Sequence, residues 1–489
     1  MSNRLQIALC LGFLLAGGMP CAAQTLPSPQ QPLLASIACT HVSDKMAVRP
    51  DYQLDRSEED WSSLCDPTIR GGDLWDPAKY IALGRSSYVS FGGELRASYE
   101  AYRNYSWGSG LQDSNGYYLN RLINHADLHL GSRVRVFGEF QSGLEFGRNG
   151  GPRPVVDEDK LDLSQGFIDL KLAARRDGSS ISLRLGRAEL NYGEGTLVST
   201  RELNVRRPFD GIKFVFHAPR WRVDIFAVKP VATRNGFFDD APDHRQTFWG
   251  VWATQTNPAA FLRKLDLYYF GLDRSDAQYD KGTGRERRNT LGFNAREVSG
   301  KLSLFQEGDL QLGTFGTGRL TAWKVAQSVS YSFQQSRFQP IIGLQGAISS
   351  GDGNPSSPDL HTFHPLFPKG LYYGYMLFTG GSLNAIVVHP TARLQLARKL
   401  SLDIDDFLFW RESTNDGIYS QSGMFLRPGK ISQARYVGAT QDLSLVWQVD
   451  RHTTVQGIAG YYEVGDYLRD TQPPGRDASY VSVTANYRF

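Results

Sequence analysis

Residues 88–101 read Tyr-Val-Ser-Phe-Gly-Gly-Glu-Leu-Arg-Ala-Ser-Tyr-Glu-Ala, and their alternation decides the fold. Val89, Phe91, Gly93, Leu95, Ala97, Tyr99 and Ala101 fall on one face; Ser90, Gly92, Glu94, Arg96, Ser98 and Glu100 fall on the other. A period of two over this length is a β-strand with one apolar and one charged face. A soluble sandwich would hide the apolar face against a second sheet, whereas a membrane barrel would turn it toward lipid. One strand does not separate the two.

The rest of the chain does. The same rule places strands at 88–102, 117–130, 133–145, 163–173, 180–190, 206–217, 221–229, 246–255 and 264–272. It continues with 289–298, 302–315, 319–333, 338–349, 382–396, 399–411, 433–448, 453–463 and 478–489. About eighteen strands is an even number, as single-chain bacterial barrels require. The connections alternate too. Gly131-Ser132, Ala218-Pro219-Arg220, Ser299-Gly300, Ala397-Arg398 and Val449 to His452 are short, whereas 103–116, 146–162, 230–245, 273–288, 350–381 and 412–432 are long. Short periplasmic turns opposite long outer loops mark an outer-membrane barrel. Gly316-Thr317-Gly318 breaks the rule, being tiny where a long loop is due. Either that hairpin is short or the count errs there.

Composition agrees. Gly 50, Tyr 23, Phe 27 and Trp 9 stand beside Met 5 and Cys 4, a strand-favouring balance. A net charge of +3 excludes a strongly basic nucleic-acid surface. No apolar run beyond the N-terminus is long enough for a membrane helix. Residues 1–23 carry Arg4, an apolar stretch and Cys21-Ala22-Ala23, the pattern of a cleaved signal peptide. Residues 24–87 lack periodicity and read as a short N-terminal periplasmic extension, followed by the barrel at 88–489. The extension holds Cys39 and Cys65, for which one disulfide is expected in an oxidising compartment.

The expectation is therefore an all-β, transmembrane, antiparallel up-and-down barrel, monomeric, in contact with outer-membrane lipid and lipopolysaccharide. Its aqueous lumen makes inward side chains candidates by position. Parity sends Arg96, Arg121, Asp127, Arg135, Glu139, Glu145, Arg184, Lys213, Arg222, Asp224, Lys324, Arg393 and Asp405 inward. Between the fifth and sixth strands Arg184, Arg187, Arg201, Arg206 and Arg207 crowd near Asn204 and Asp210. Guanidinium forks match carboxylates, so such a loop, folded in, would guide an anionic sugar polymer. Facing outward, it would meet lipopolysaccharide phosphates instead.

Several segments resemble the alginate-export family of outer-membrane porins. They are Gly92-Gly93-Glu94-Leu95-Arg96, LGRAEL with YGEGTLVSTRELNVRRPFDG, SSGDGNPSSPDLHTFHPLFPKGLYYG and SLNAIVVHP, in order over about 85 to 489. The resemblance implies an 18-stranded barrel with an electropositive pore exporting an anionic exopolysaccharide. It carries over Arg187, Asn204, Arg206, Arg207 and Asp210 as pore or loop residues, and Asn384 near the fourteenth strand. The closing segment, ASYVSVTANYRF, resembles the signal read by outer-membrane assembly machinery through Phe489.

Loop 350–381 holds Phe363, Phe367, Tyr372, Tyr373 and Tyr375, placed to stack on sugar rings, to plug the pore, or simply to pack the loop on itself. No metal, cofactor or catalytic residue is expected. Asp157-Glu158-Asp159 and Gly351-Asp352-Gly353-Asn354 lack the ligand spacing of an EF-hand. His125 and His129 lie four apart on a strand, too far to chelate one ion. No nucleophile elbow, HExxH pair or phosphate loop occurs. A passive channel for an anionic saccharide or small anion is the leading reading. A barrel enzyme or a surface adhesin is its rival; a soluble sandwich fits poorly.

Overall fold

Alternating side chains give each strand one lipid-facing and one lumen-facing row, and closure satisfies the backbone groups that a sheet edge would expose to lipid. The computed structural model describes residues 49–489 apart from 85, 114 and 377–379. The predicted signal segment 1–23, residues 24–48 of the predicted extension and Cys39 lie outside the described residues. Cys65 is disulfide-bonded.

Eighteen long strands form the wall. The first six are β1 (Tyr88–Arg103), β2 (Tyr117–Leu130), β3 (Val134–Phe146), β4 (Asp159–Ala174), β5 (Ser180–Glu189) and β6 (Pro208–Ala218). Next come β7 (Trp221–Ala232), β8 (Gln246–Thr256), β9 (Leu262–Tyr279), β10 (Gly282–Ser299), β11 (Leu302–Phe315) and β12 (Gly318–Ser332). The last are β13 (Ile341–Ser349), β14 (Ala385–Ala397), β15 (Leu400–Arg411), β16 (Tyr436–Gln448), β17 (Thr453–Val464) and β18 (Ala478–Arg488). Each pairs antiparallel with the next, and β18 returns to β1 with Ala97 opposite Ala485. The ring is closed.

The expected parity holds on the outside, where Phe91, Leu95, Leu267, Leu291 and Val483 are exposed. These side chains meet lipid. Gly131 and Gly300 sit in inner turns at φ +60°, where a side chain would be strained. Two expected boundaries need correction. The 273–288 connection is strand: β9 and β10 have 18 residues each and meet at Asp280-Lys281. At ~3.3 Å per residue each measures ~60 Å, about twice the ~30 Å hydrocarbon core, so this hairpin stands above the membrane. Likewise β4 begins at Asp159 rather than 163, and β7 runs to Ala232.

The short hairpin at 316–318 is real, and the strand count stands. A Cβ added to Gly318 would lie 1.8 Å from the Pro358 carbonyl oxygen, so the following loop crosses directly over it. Thr321 donates to the Leu360 carbonyl at 3.0 Å, continuing that contact. A longer outer loop there would collide with it.

The interior is not uniformly wet. Residues 190–207 and 350–376 fold inward and bond to each other, Ser199 N–H to Phe367 O at 2.9 Å and Phe367 N–H to Leu197 O at 2.8 Å. Tyr192, Leu197, Val198, Phe363 and Phe367 pack with inward Phe209, Phe226, Phe248, Trp252, Tyr268 and Phe270 as one buried cluster. Trp252 and Tyr268 stack with centroids 4.6 Å apart. The wall from β6 to β9 therefore turns aromatics inward as well as charges, and the long loop packs on the wall instead of spreading over the mouth.

Candidate functional site

Residues 49–80 enter from the inner-turn end, and their bonds run to inward residues of the wall. Asp55 and Asp60 accept from Ser57 and Ser62 N–H at 2.9 Å each, starting two short 3-10 turns (Arg56–Glu58 and Trp61–Cys65). The Arg56 guanidinium donates to Gly93 O at 2.9 Å and Phe489 O at 3.0 Å. Arg135 donates to Ser57 O at 2.7 Å, and Trp75 Nε1 to the Tyr487 hydroxyl at 2.7 Å. The segment read from sequence as an extension is, over its described part, stitched to the barrel. Lys79 ends its helix α1 (Asp76–Lys79), wholly buried between Tyr52 and Trp61, with no hydrogen-bond partner for Nζ. Burial, reinforced by Arg56 and only partly offset by Glu59, pulls its pKa down to about 7.

Inward Glu94 on β1 is the hub of the next layer. Arg121 holds it from β2 through Nε at 3.0 Å, Arg488 from β18 at 3.1 Å, and Arg206 approaches from the folded-in loop at 3.8 Å. Arg206 is 0% exposed, lies 3.6 Å from Glu189 and donates to Leu54 O at 3.0 Å. Three cations surround one carboxylate here. Three inward acids of the neighbouring strands are taken up: Asp127 by Arg135 at 2.7 Å, Asp169 by Arg184 at 2.8 Å, and Asp210 by Arg187 at 2.8 and 3.0 Å.

Open space remains beside this hub. A cavity of about 580 Å³ is lined by Arg96, Arg121, Lys369 and Arg488, by Glu202 and Asp405, and by His389. Tyr372, Tyr375 and Phe407 add rings, and Gln448, Thr454, Gln456, Thr484 and Asn486 add a neutral polar surface from β16 to β18. Both acids are engaged, Glu202 by Lys369 at 3.0 Å and Asp405 by His389 at 2.8 Å. Burial works to raise the Glu202 carboxyl, but Lys369 overcomes it and keeps it below its ordinary value. Arg96 forms no ion pair among the described residues; it donates to the Glu202 carbonyl at 3.4 Å.

Of the residues singled out from sequence, Arg96 and Arg121 line this cavity. Arg206 does not: the expectation that it guides solute is corrected to a structural role, because its guanidinium is wholly buried inside the fold between Glu94 and Glu189. Arg201 is likewise buried and donates to Val155 O at 2.5 Å and Val205 O at 3.2 Å. Asn204 ties the loop to Asn120, Leu144 and Asp157 carbonyls, the last at 2.7 Å. Arg207 lies over the Phe367 ring at 5.5 Å. Arg135, Arg187 with Asp210, and Lys213, 3.8 Å from Asp224, are ion-paired along the inner wall. Arg393 is exposed and paired with Asp403. Asn384 bridges Ser413, Asp416 and Gly417 carbonyls at 3.0 Å each.

The cation-loop look-alikes are also explained. Asp157 holds Arg153 at 2.8 Å, and Asp352 pairs with Lys281. Sequence reasoning missed Arg488, whose parity on the last strand was sufficient to send it inward. It also missed Lys369, which sits in an aperiodic loop that carries no positional signal.

Residues 87–482 match the family described as alginate export. The chain belongs to the alginate export family. Its fold is shared with solved channels at low sequence identity. Pseudomonas aeruginosa OpdK, crystallised with vanillate, is 12% identical with a TM-score of 0.55, covering 82% of this chain and 98% of its own. Pseudomonas aeruginosa OccD3 (10%, TM-score 0.55, 84% and 93%) and Acinetobacter baumannii OccAB1 (12%, TM-score 0.55, 82% and 96%) superpose equally well. No curated protein matches the sequence significantly. This alginate export family member is thus an outer-membrane barrel of the porin type, embedded in lipid.

Proposed function

We propose that the barrel is a passive, non-enzymatic channel for an anionic solute, an acidic oligo- or polysaccharide of the alginate kind or a related small anion. The observation that carries this reading is the cavity lining: Arg96, Arg121, Lys369 and Arg488 outnumber the two acids of the same space, Glu202 and Asp405, and Arg96 forms no ion pair among the described residues. Fixed positive charge beside a neutral polar surface favours weak, repeated contacts with successive carboxylates, which is what passage requires. Tyr372 and Tyr375 offer rings for sugar faces. Nothing in the sequence supplies an energy source, so flow follows the gradient. On this reading a signal peptide exports the chain, assembly machinery takes it up through Phe489, and it works as a monomer.

Reversal potentials across a salt gradient in planar bilayers test it. Anion preference, reduced in Arg96→Ala and Lys369→Ala and accompanied by current block with oligouronate, is expected. Cation preference in the unmodified channel rules the anionic cargo out, and a sealed barrel without conductance favours an enzyme or adhesin.

A further inference from the structure

The wall has a gap at its outer end. Pairing of β4 with β5 begins only at Gly166 opposite Arg187, because β5 ends at Glu189 and the chain turns into the lumen. Residues 159–165 therefore lack a strand neighbour on that side. The 233–245 segment fills the gap: Leu161 N–H donates to Gly236 O at 3.4 Å and Phe238 N–H to Leu161 O at 2.9 Å. Phe238 sits edge-on to Phe140 at 6.1 Å, on the same lipid-facing surface. A loop of polar backbone here takes the place of a strand.

Behind it, three carboxylates converge, with that of Asp159 acting on them from the start of β4. One oxygen from each of Asp162, Asp239 and Asp240 lies within 4.8 Å of the others. A Ca²⁺ ion sits ~2.4 Å from its ligands, so oxygens no farther apart than twice that can share one ion. Bulges in the β3–β4 pairing set Gln141 opposite Asp162 but Gly143 opposite Asp159, so both aspartates are buried although they lie three positions apart, a spacing that a regular strand would split between its faces. Asp159 is 0% exposed; its Oδ2 accepts from Gln141 Nε2 at 3.4 Å, its Oδ1 has no hydrogen-bond partner, and Asp240, Asp162 and Asp239 are the acids that act on it. Asp239 Oδ1 is also without a partner.

Compensation within the protein is thin. Arg187 reaches Asp162 only at 3.6 Å, its fork being committed to Asp210, and the Asp162 and Asp240 carboxylates otherwise accept backbone N–H groups, Asp240 N–H at 3.0 Å and Arg234 N–H at 2.6 Å. Carboxylates so placed repel one another unless protons or a cation neutralise them.

We propose that Asp159, Asp162, Asp239 and Asp240 form a binding site for a divalent cation of the Ca²⁺ class that fastens segment 233–245 into the barrel wall. All donors are hard oxygens, and part of the set lies on a loop, which suits the adaptable shell of Ca²⁺ better than the strict octahedron of Mg²⁺. The site opens toward the outer side, where ~10⁻⁴–10⁻³ M affinity suffices for occupancy.

The test uses the full barrel in detergent, stripped with chelator and dialysed against radioactive Ca²⁺, with trypsin cleavage after exposed Arg234 as a second readout. One saturable Ca²⁺ per chain and cleavage slowed about tenfold by Ca²⁺ are expected. Asp240→Asn loses both, while Asp177→Asn, on an exposed inner turn, loses neither. No saturable uptake by the unmodified barrel up to about 10 mM, beyond the affinity range of such sites, overturns the proposal whatever the variants do. Cleavage indifferent to Ca²⁺, or equal loss in Asp177→Asn, overturns it as well.

Discussion

The two sides of the lumen use the same residue types to opposite ends. Around β2 to β9 the space is filled: residues 49–80 and 190–207 press against the wall, and Arg206, Arg121, Arg135, Arg184 and Arg187 are each spent on a named acid or carbonyl. From β14 round to β1 the space is open, and Arg96, Lys369 and Arg488, the last while also holding Glu94, meet it beside glutamines and threonines, with Arg121 at the border of the two sides. A guanidinium in water and one sealed under a loop differ in what they contribute. The first supplies field; the second supplies structure, because removing it strands a buried carboxylate.

That contrast is sharpest at Arg206. Arg206→Ala leaves Glu94 and Glu189 short of a buried partner and is expected to lower unfolding stability by about 3–5 kcal/mol, read from urea titration in detergent. An effect confined to selectivity, with stability unchanged, would move Arg206 from the filled side to the open one.

Lys79 comes next. With its pKa down to about 7 in the folded state against about 10.5 in the unfolded, the unfolded chain binds the extra proton between those values. Stability attributable to this residue therefore rises with pH across that window; below about 7 the folded barrel carries the full penalty of a buried ammonium, on the order of 5 kcal/mol from the shift. Lys79→Met removes the penalty. Urea midpoints of the two proteins should differ most near pH 6 and converge toward pH 10, and parallel curves would refute the assignment.

On the open side effects are smaller. A unit charge ~10 Å from the ion path is worth ~0.4 kcal/mol in water, of opposite sign for anion and cation, so Arg96→Ala should change the anion-to-cation permeability ratio about fourfold. Its stability should stay within about 0.5 kcal/mol. Smallest of all, Arg393→Ala breaks an exposed pair worth at most ~1 kcal/mol and should leave reversal potential unaltered.

Much of this was legible in the sequence. Period-two alternation placed all eighteen strands, since the lipid face imposes its pattern directly on side-chain type. Boundaries failed where the environment changes without a change of residue type, as at 273–288, where the strands leave the membrane and polar residues occupy both faces. Parity sent Arg96 and Arg121 inward correctly. It said nothing about which inward arginines would be covered, because Arg206 is buried by Leu54 and Glu189, distant segments with no period linking them. Phe248 and Phe270 face the lumen for the same reason: their partner Phe367 comes from a loop more than ninety residues away.

The seam between β18 and β1 has a consequence in time. Gly93 and Phe489 exchange both backbone bonds, at 2.8 and 3.0 Å, and Arg56 is anchored to that same Phe489 carbonyl. Of the eighteen strands β18 is synthesised last, yet residues 49–80, made before any of them, find part of their seat only once it has arrived. Because that seat spans the seam, the docked position of residues 49–80 is complete only when β18 is paired with β1.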